Sequence, residues 1–138
     1  MDKNLQTLEL DKVLALLAEQ TTCDDAKEAA LALRPAADPG EIALLLDQTE
    51  DAFSMLARFG APSFGGLHNV NGPLQRAAAG GCLNMTELLQ VGDTLRALRI
   101  LDDWHGHLAG TSSSLNFFFD GITCLLYTSP SPRDRSLS

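Results

Sequence analysis

The strongest constraint on the fold is a helix start signal that is followed by about four turns of one apolar face. Asp38, Pro39 and Glu41 supply an N-cap acid, a proline at the first helical position and a glutamate at the third. Apolar residues then recur every three or four positions as far as Leu56, and Gly60 is a stop signal. The pattern predicts a long helix between Asp38 and Gly60.

The same spacing predicts helices along most of the chain. One is expected around residues 10–17, one from Asp24 until Pro35 stops it, a short one over 73–79, and a long one from the Asn84 N-cap towards Trp104. No run alternates with a period of two before residue 114, so the predicted class is all-α with about five helices. The apolar faces predict a core of Leu10, Val13, Leu14, Leu17, Ile42, Leu45, Leu46, Phe53, Leu56, Leu88, Val91, Leu95 and Leu98.

Composition excludes several classes of protein. The 138 residues carry 10 basic and 18 acidic side chains, and the net charge of −8 argues against a self-sufficient nucleic-acid-binding module. No apolar stretch approaches the roughly 18 residues that would span a bilayer, and the N-terminus lacks a signal-peptide pattern. Three widely spaced cysteines favour reduced thiols over a disulfide framework. We expect a cytoplasmic protein without membrane partners.

One cluster has metal-ligand residue types. His105 and His107 follow Asp102 and Asp103, but no second cluster supplies further ligands at a recognisable interval. A histidine near the negative end of a helix explains the cluster equally well. The paired glycines at 65–66 and 80–81 are not followed by the Lys-Ser or Lys-Thr of a phosphate-binding loop. The sequence therefore predicts no catalytic, no cofactor-binding and no metal-ligating residue.

Several runs along the chain match one family in order and spacing. The run Thr7–Leu14 reads Thr-Leu-Glu-Leu-Asp-Lys-Val-Leu, and Leu33-Arg34-Pro35, Gln48–Ala52, Gly65-Gly66-Leu67 and Asp93–Arg96 follow it. Together they resemble the opening of the type-two bacterial MutS family of endonucleases, over roughly residues 5–123.

This resemblance implies a parent protein several times longer than the chain. Such proteins look like MutS without its mismatch-reading domains: a helical core and lever region, a clamp, a P-loop ATPase that dimerises, and a C-terminal Smr nuclease. The family is linked to DNA repair, to mismatch-repair-like suppression of recombination, and to rescue of collided ribosomes. The implied parent is a homodimer that binds DNA and possibly ribosomes, with ATP and Mg²⁺ in the ATPase domain.

The chain itself has none of the ATPase or nuclease motifs. The resemblance therefore implies a truncated N-terminal helical part of the core and lever domain, with a structural role, no enzymatic activity, no cofactor and no independent nucleic-acid binding. The alternative is a small free-standing helical module that binds a partner helix in an apolar groove.

The end of the chain departs from the family. Residues 115–122 form a short aromatic-rich run, and the order of residues 124–134 matches the translation of a transposase-type sequencing-library adapter. We interpret 1–123 as the native helical region and 124–138 as a disordered tail of adapter read-through; a native disordered tail is the alternative. A chain that stops near Thr123 is expected to expose apolar side chains, among them Phe117, Phe118, Phe119 and Leu101.

Overall fold

A computed structural model of the chain describes residues 8–108, 110 and 112–127. These residues form six α-helices and no strand, which confirms the all-α class. The helices are α1 Leu10–Glu19, α2 Asp24–Ala32, α3 Pro39–Phe59, α4 Asn71–Ala78, α5 Met85–Gly106 and α6 Asn116–Tyr127. None of the helices in the described ranges is long and apolar enough to cross a membrane.

The start and stop signals of α3 act as their chemistry predicts. Asp38 Oδ2 accepts a hydrogen bond from the backbone N–H of Glu41 at 2.9 Å, and Pro39 is the first helical residue. Gly60 takes a positive φ of 77° directly after the helix, and its N–H donates to the carbonyl oxygen of Leu56 at 2.9 Å. Because a positive φ is costly for residues with a Cβ atom, glycine suits this stop.

The chain divides into two units. One unit combines residues 8–35 with Phe64–Thr94; in it α1 and α2 pack against each other, and Leu14, Ala18 and Ala30 are buried. The other combines Ala36–Ser63 with the described residues of 95–127, and its buried apolar side chains are Met55, Ala97, Leu101 and Leu108.

The core is smaller than predicted, and most of the expected core residues lie outside it. Of the predicted set only Leu14 is buried; Leu10, Val91 and Leu98 are half-buried, and the others are exposed. Phe53, for example, keeps 72% of its surface accessible. The buried positions are often alanines, because small side chains let helix backbones approach closely.

Helix α6 corrects the prediction of a disordered segment from residue 124 onward. The aromatic-rich run is helical, and the helix continues through Tyr127. Leu125 and Leu126 extend the helix without a break, since the first proline is Pro130. The prediction was therefore wrong for residues 124–127, while 128–138 lie outside the described residues. Phe117 and Phe118 are exposed as expected, but Leu101 is buried.

Candidate functional site

The histidines at the end of α5 make separate packing contacts. His105 Nε2 lies 3.2 Å from Asn116 Oδ1, and its ring stacks on Phe119 with centroids 4.2 Å apart and planes 2° apart. His107 Nδ1 donates to the backbone oxygen of Asp103 at 2.6 Å. Within the described ranges, no group of three His, Cys, Asp or Glu side chains could hold a metal ion. The cluster acts as a helix end and a packing surface.

A cavity of about 230 Å³ lies between α5 and α6 in the second unit. Its walls are Arg99, Asp102, Asp103, Leu126 and Tyr127. Asp102 already accepts a hydrogen bond from the hydroxyl of Thr123. Two of the five walls belong to residues 124–138, which the sequence identifies as adapter read-through. The cavity therefore carries no candidate function.

The Gly65-Gly66 loop is tied to its own unit by polar contacts. Gly66 has a φ of 87°, which permits the turn. The backbone N–H of His68 donates to Thr94 Oγ1 at 3.1 Å, and His68 Nε2 lies 3.9 Å from Asp93 Oδ2. The loop thus docks on the first part of α5.

The next residue of this loop contacts α2. Asn69 Nδ2 donates to Asp25 Oδ1 at 2.7 Å, and Asn69 Oδ1 accepts from the backbone N–H of Asn71 at 3.1 Å. The carboxylates of Asp25 and Asp93 both lie beside the loop, and they would repel a phosphate. The loop is a structural connection and does not fit a nucleotide phosphate.

The Gly80-Gly81 pair forms the turn between α4 and α5. Gly80 has a φ of 88°, and a Cβ atom on Gly81 would lie 2.8 Å from Arg76 Cγ, so only glycine fits that approach. The backbone N–H of Gly80 donates to Ala77 at 3.0 Å and that of Gly81 donates to Arg76 at 2.9 Å. Since both amides are used within the turn, the pair does not fit the phosphates of ATP.

A capping box begins α5 directly after this turn. Asn84 Oδ1 accepts from the backbone N–H of Glu87 at 2.9 Å, and Glu87 Oε2 accepts from the backbone N–H of Asn84 at 2.9 Å. The Arg76 guanidinium also binds the Glu87 carboxylate. The hydrogen bond from Arg76, followed by that from Asn84, lowers the pKa of Glu87 below its ordinary value of 4.5. The cluster joins α4 to α5.

The second unit contains a carboxylate tie that sequence reasoning missed. Asp51 Oδ2 accepts from the backbone N–H of Ser114 at 2.6 Å, from Ser114 Oγ at 2.7 Å and from Ser113 Oγ at 3.1 Å. The partners are more than sixty residues apart, so no local spacing could have revealed them. The contact fastens the loop before α6 to the middle of α3.

Taken together, the polar clusters of the described residues begin helices, close turns and fasten loops. No nucleophile paired with a base, and no glycine loop with free amides, occurs among them. The fold and these clusters define an all-α scaffold segment. The prediction of no catalytic, cofactor-binding or metal-ligating residue stays a prediction for the whole chain.

Comparison with known proteins gives the family. The chain is 40% identical over 97 residues to Endonuclease MutS2 of Agathobacter rectalis, covering 70% of this chain and 12% of that protein. It is 33% identical over 124 residues to Endonuclease MutS2 of Acetivibrio thermocellus, covering 90% and 16%. For Endonuclease MutS2 of Geobacillus thermodenitrificans the values are 38% over 114 residues, 78% and 14%. No protein-family model and no solved structure matches the chain.

These similarities identify the chain as a MutS2-like fragment. It spans less than one fifth of the length of the relatives that it matches. The similarity confirms the family resemblance that the runs from Thr7 to Arg96 predicted.

Proposed function

We propose that the chain is the N-terminal core-region segment of a type-two MutS protein and serves as a helical scaffold within it. The observation that carries this proposal is the similarity to Endonuclease MutS2 proteins over 70–90% of the chain. The use of polar side chains as caps and loop ties supports a structural role. In the intact protein, such helices would transmit the state of the ATPase to the parts that engage DNA or ribosomes.

The parent protein, on this proposal, is a homodimeric DNA-binding ATPase and endonuclease. It acts in DNA repair and recombination suppression and in the rescue of collided ribosomes, and it works in the cytoplasm, where bacterial DNA and ribosomes are. ATP and Mg²⁺ belong to a domain outside this chain. The two glycine pairs of the chain do not fit that nucleotide, since acidic side chains flank one and internal hydrogen bonds occupy the other.

The fragment alone, on this proposal, neither hydrolyses ATP nor binds nucleic acid tightly. Its net charge of −8 opposes the phosphate contacts that supply most of nonspecific affinity. The test measures ATP hydrolysis and fluorescence anisotropy with a branched DNA duplex at low salt. The full-length Geobacillus thermodenitrificans relative serves as the comparison protein. ATP turnover by the purified chain, or tight and strongly salt-dependent DNA binding, would contradict the proposal.

A free-standing helical interaction module is the second candidate, and the exposed apolar side chains of α3 favour it. The genomic reading frame distinguishes the two. A frame that continues past residue 123 into a Gly-x-x-x-x-Gly-Lys-(Ser/Thr) motif supports the scaffold of a longer enzyme. A stop codon soon after residue 123 supports the module.

A further inference from the structure

Helix α3 keeps its longest apolar stripe in solvent. The α3 stripe is here defined as Ile42, Leu45, Leu46, Thr49, Phe53 and Leu56. Its five apolar members are between 38% exposed, at Ile42, and 72% exposed, at Phe53. At 3.6 residues per turn, the stripe centre lies roughly 120° around the helix from the side that carries Asp51, Ala52 and Met55. That second side is the buried or half-buried one. The stripe therefore does not contribute to the core.

The stripe has the spacing of a helix-pairing seam. Ile42, Thr49 and Leu56 repeat every seven residues, and Leu46 and Phe53 repeat at the same interval beside them. Apolar side chains at such a heptad spacing interdigitate with the same pattern on another helix. A single stripe that faces its own copy across a two-fold axis forms a closed, self-complementary contact.

Its one polar member can be buried without loss of a hydrogen bond. The Thr49 hydroxyl donates to the backbone oxygen of Leu45 at 2.8 Å. Covering the stripe would therefore leave no unsatisfied donor at its centre, which removes the usual cost of burying a hydroxyl.

The exposed area matches what a dimer needs. With roughly 200 Å² for a large apolar side chain, the exposed fractions leave roughly 500 Å² of stripe on each chain. Two paired stripes would bury about 1,000 Å², which is the lower bound for a specific interface. A patch of this size is unusual on a monomer and marks an interaction surface.

We propose that the α3 stripe is a homotypic interface through which two copies of this chain pair helix to helix. Sedimentation velocity over a concentration series should show a reversible species of twice the 14.8 kDa chain mass. Leu46→Glu and Phe53→Glu should each weaken the association by about tenfold or more, because a carboxylate would enter the seam. Thr49→Leu should tighten it, since an apolar side chain replaces the hydroxyl at the centre.

Matched controls separate this seam from other exposed apolar residues. Leu44→Glu changes an equally apolar residue of α3 that is 52% exposed but lies far from the stripe centre, and Phe117→Glu changes an exposed residue of α6. Both should leave the dimer unchanged, and circular dichroism should show equal helix content in every variant. A chain that is monomeric at all concentrations would overturn the proposal and leave the stripe for another segment of a longer polypeptide. So would a dimer that ignores Thr49→Leu and the stripe variants but dissociates with Phe117→Glu.

Discussion

Ser114 holds the carboxylate of Asp51 with both its backbone amide and its hydroxyl. The two donors lie 2.6 Å and 2.7 Å from the same oxygen, Oδ2 of Asp51. These hydrogen bonds, led by the hydroxyl, lower the pKa of Asp51 below its ordinary value of 3.8, because they favour the charged form. The pair fastens two segments that are distant in sequence.

Acid should weaken this tie. A carboxyl with a lowered pKa in the folded state contributes stability above its unfolded pKa and loses it as the pH falls through the folded value. The melting temperature should therefore drop on going from about pH 6 to about pH 2.5. The drop should be smaller for Asp51→Asn, whose melting temperature at neutral pH should already be lower by a few degrees.

Asp47→Asn is the control for this experiment. Asp47 lies on the same helix, and it has no hydrogen-bond partner within the part of the chain that the structure describes. Its substitution should leave the pH dependence of the melting temperature close to that of the original chain. Equal acid sensitivity of Asp51→Asn and the original chain would show that the tie does not matter in solution.

The capping box at the start of α5 should stabilise the fold measurably. Asn84→Ala removes the acceptor for the backbone N–H of Glu87 and should lower the free energy of unfolding by about 1 kcal/mol. Asn84→Ser keeps an N-cap oxygen and should lose much less. Urea unfolding followed by circular dichroism measures both, and equal losses would contradict the role of the cap.

The buried position of Leu101 provides a test of the core. Leu101 is 4% exposed, so Leu101→Ala should cost about 2–5 kcal/mol of unfolding free energy. Leu95 lies on the same helix with 43% exposure, and Leu95→Ala should cost less than about 1 kcal/mol. Equal costs would show that the apolar stripe predicted from the sequence is the true core.

Helix positions were readable from the sequence because their signals are local. The Asp38 cap, the Gly60 stop and the Asn84–Glu87 box each act within a few residues, and each has the predicted geometry. Helix α6 was missed because an aromatic-rich run without caps gives no such signal.

The core and the polar ties were not readable, because both depend on contacts between distant segments. The periodicity of α3 locates its apolar face but not which side the rest of the unit covers. Met55 is buried at 5% exposure while Leu46 on the stripe is 63% exposed. Likewise, nothing near Asp51 in the sequence indicates that Ser114 will contact it.

The nucleotide sequence tests the origin of the chain end. Residues 124–134 should be encoded by the adapter codons, beginning tgt-ctc-tta for Cys-Leu-Leu. The genomic locus, amplified and sequenced from the source organism, should diverge from this sequence after residue 123. A genomic frame that encodes the same residues with other codons would show that the segment is native and that the Tyr127 end of α6 belongs to the protein.

The small, alanine-rich core has a calorimetric consequence. The heat-capacity change of unfolding grows with the apolar area that is newly exposed to water. In the described residues only seven apolar side chains are buried, and three of them are the alanines Ala18, Ala30 and Ala97. Most leucines are already hydrated in the folded chain, so unfolding exposes little more. The chain should therefore show a heat-capacity increment below the usual ~12–15 cal/mol/K per residue, and a flat dependence of stability on temperature.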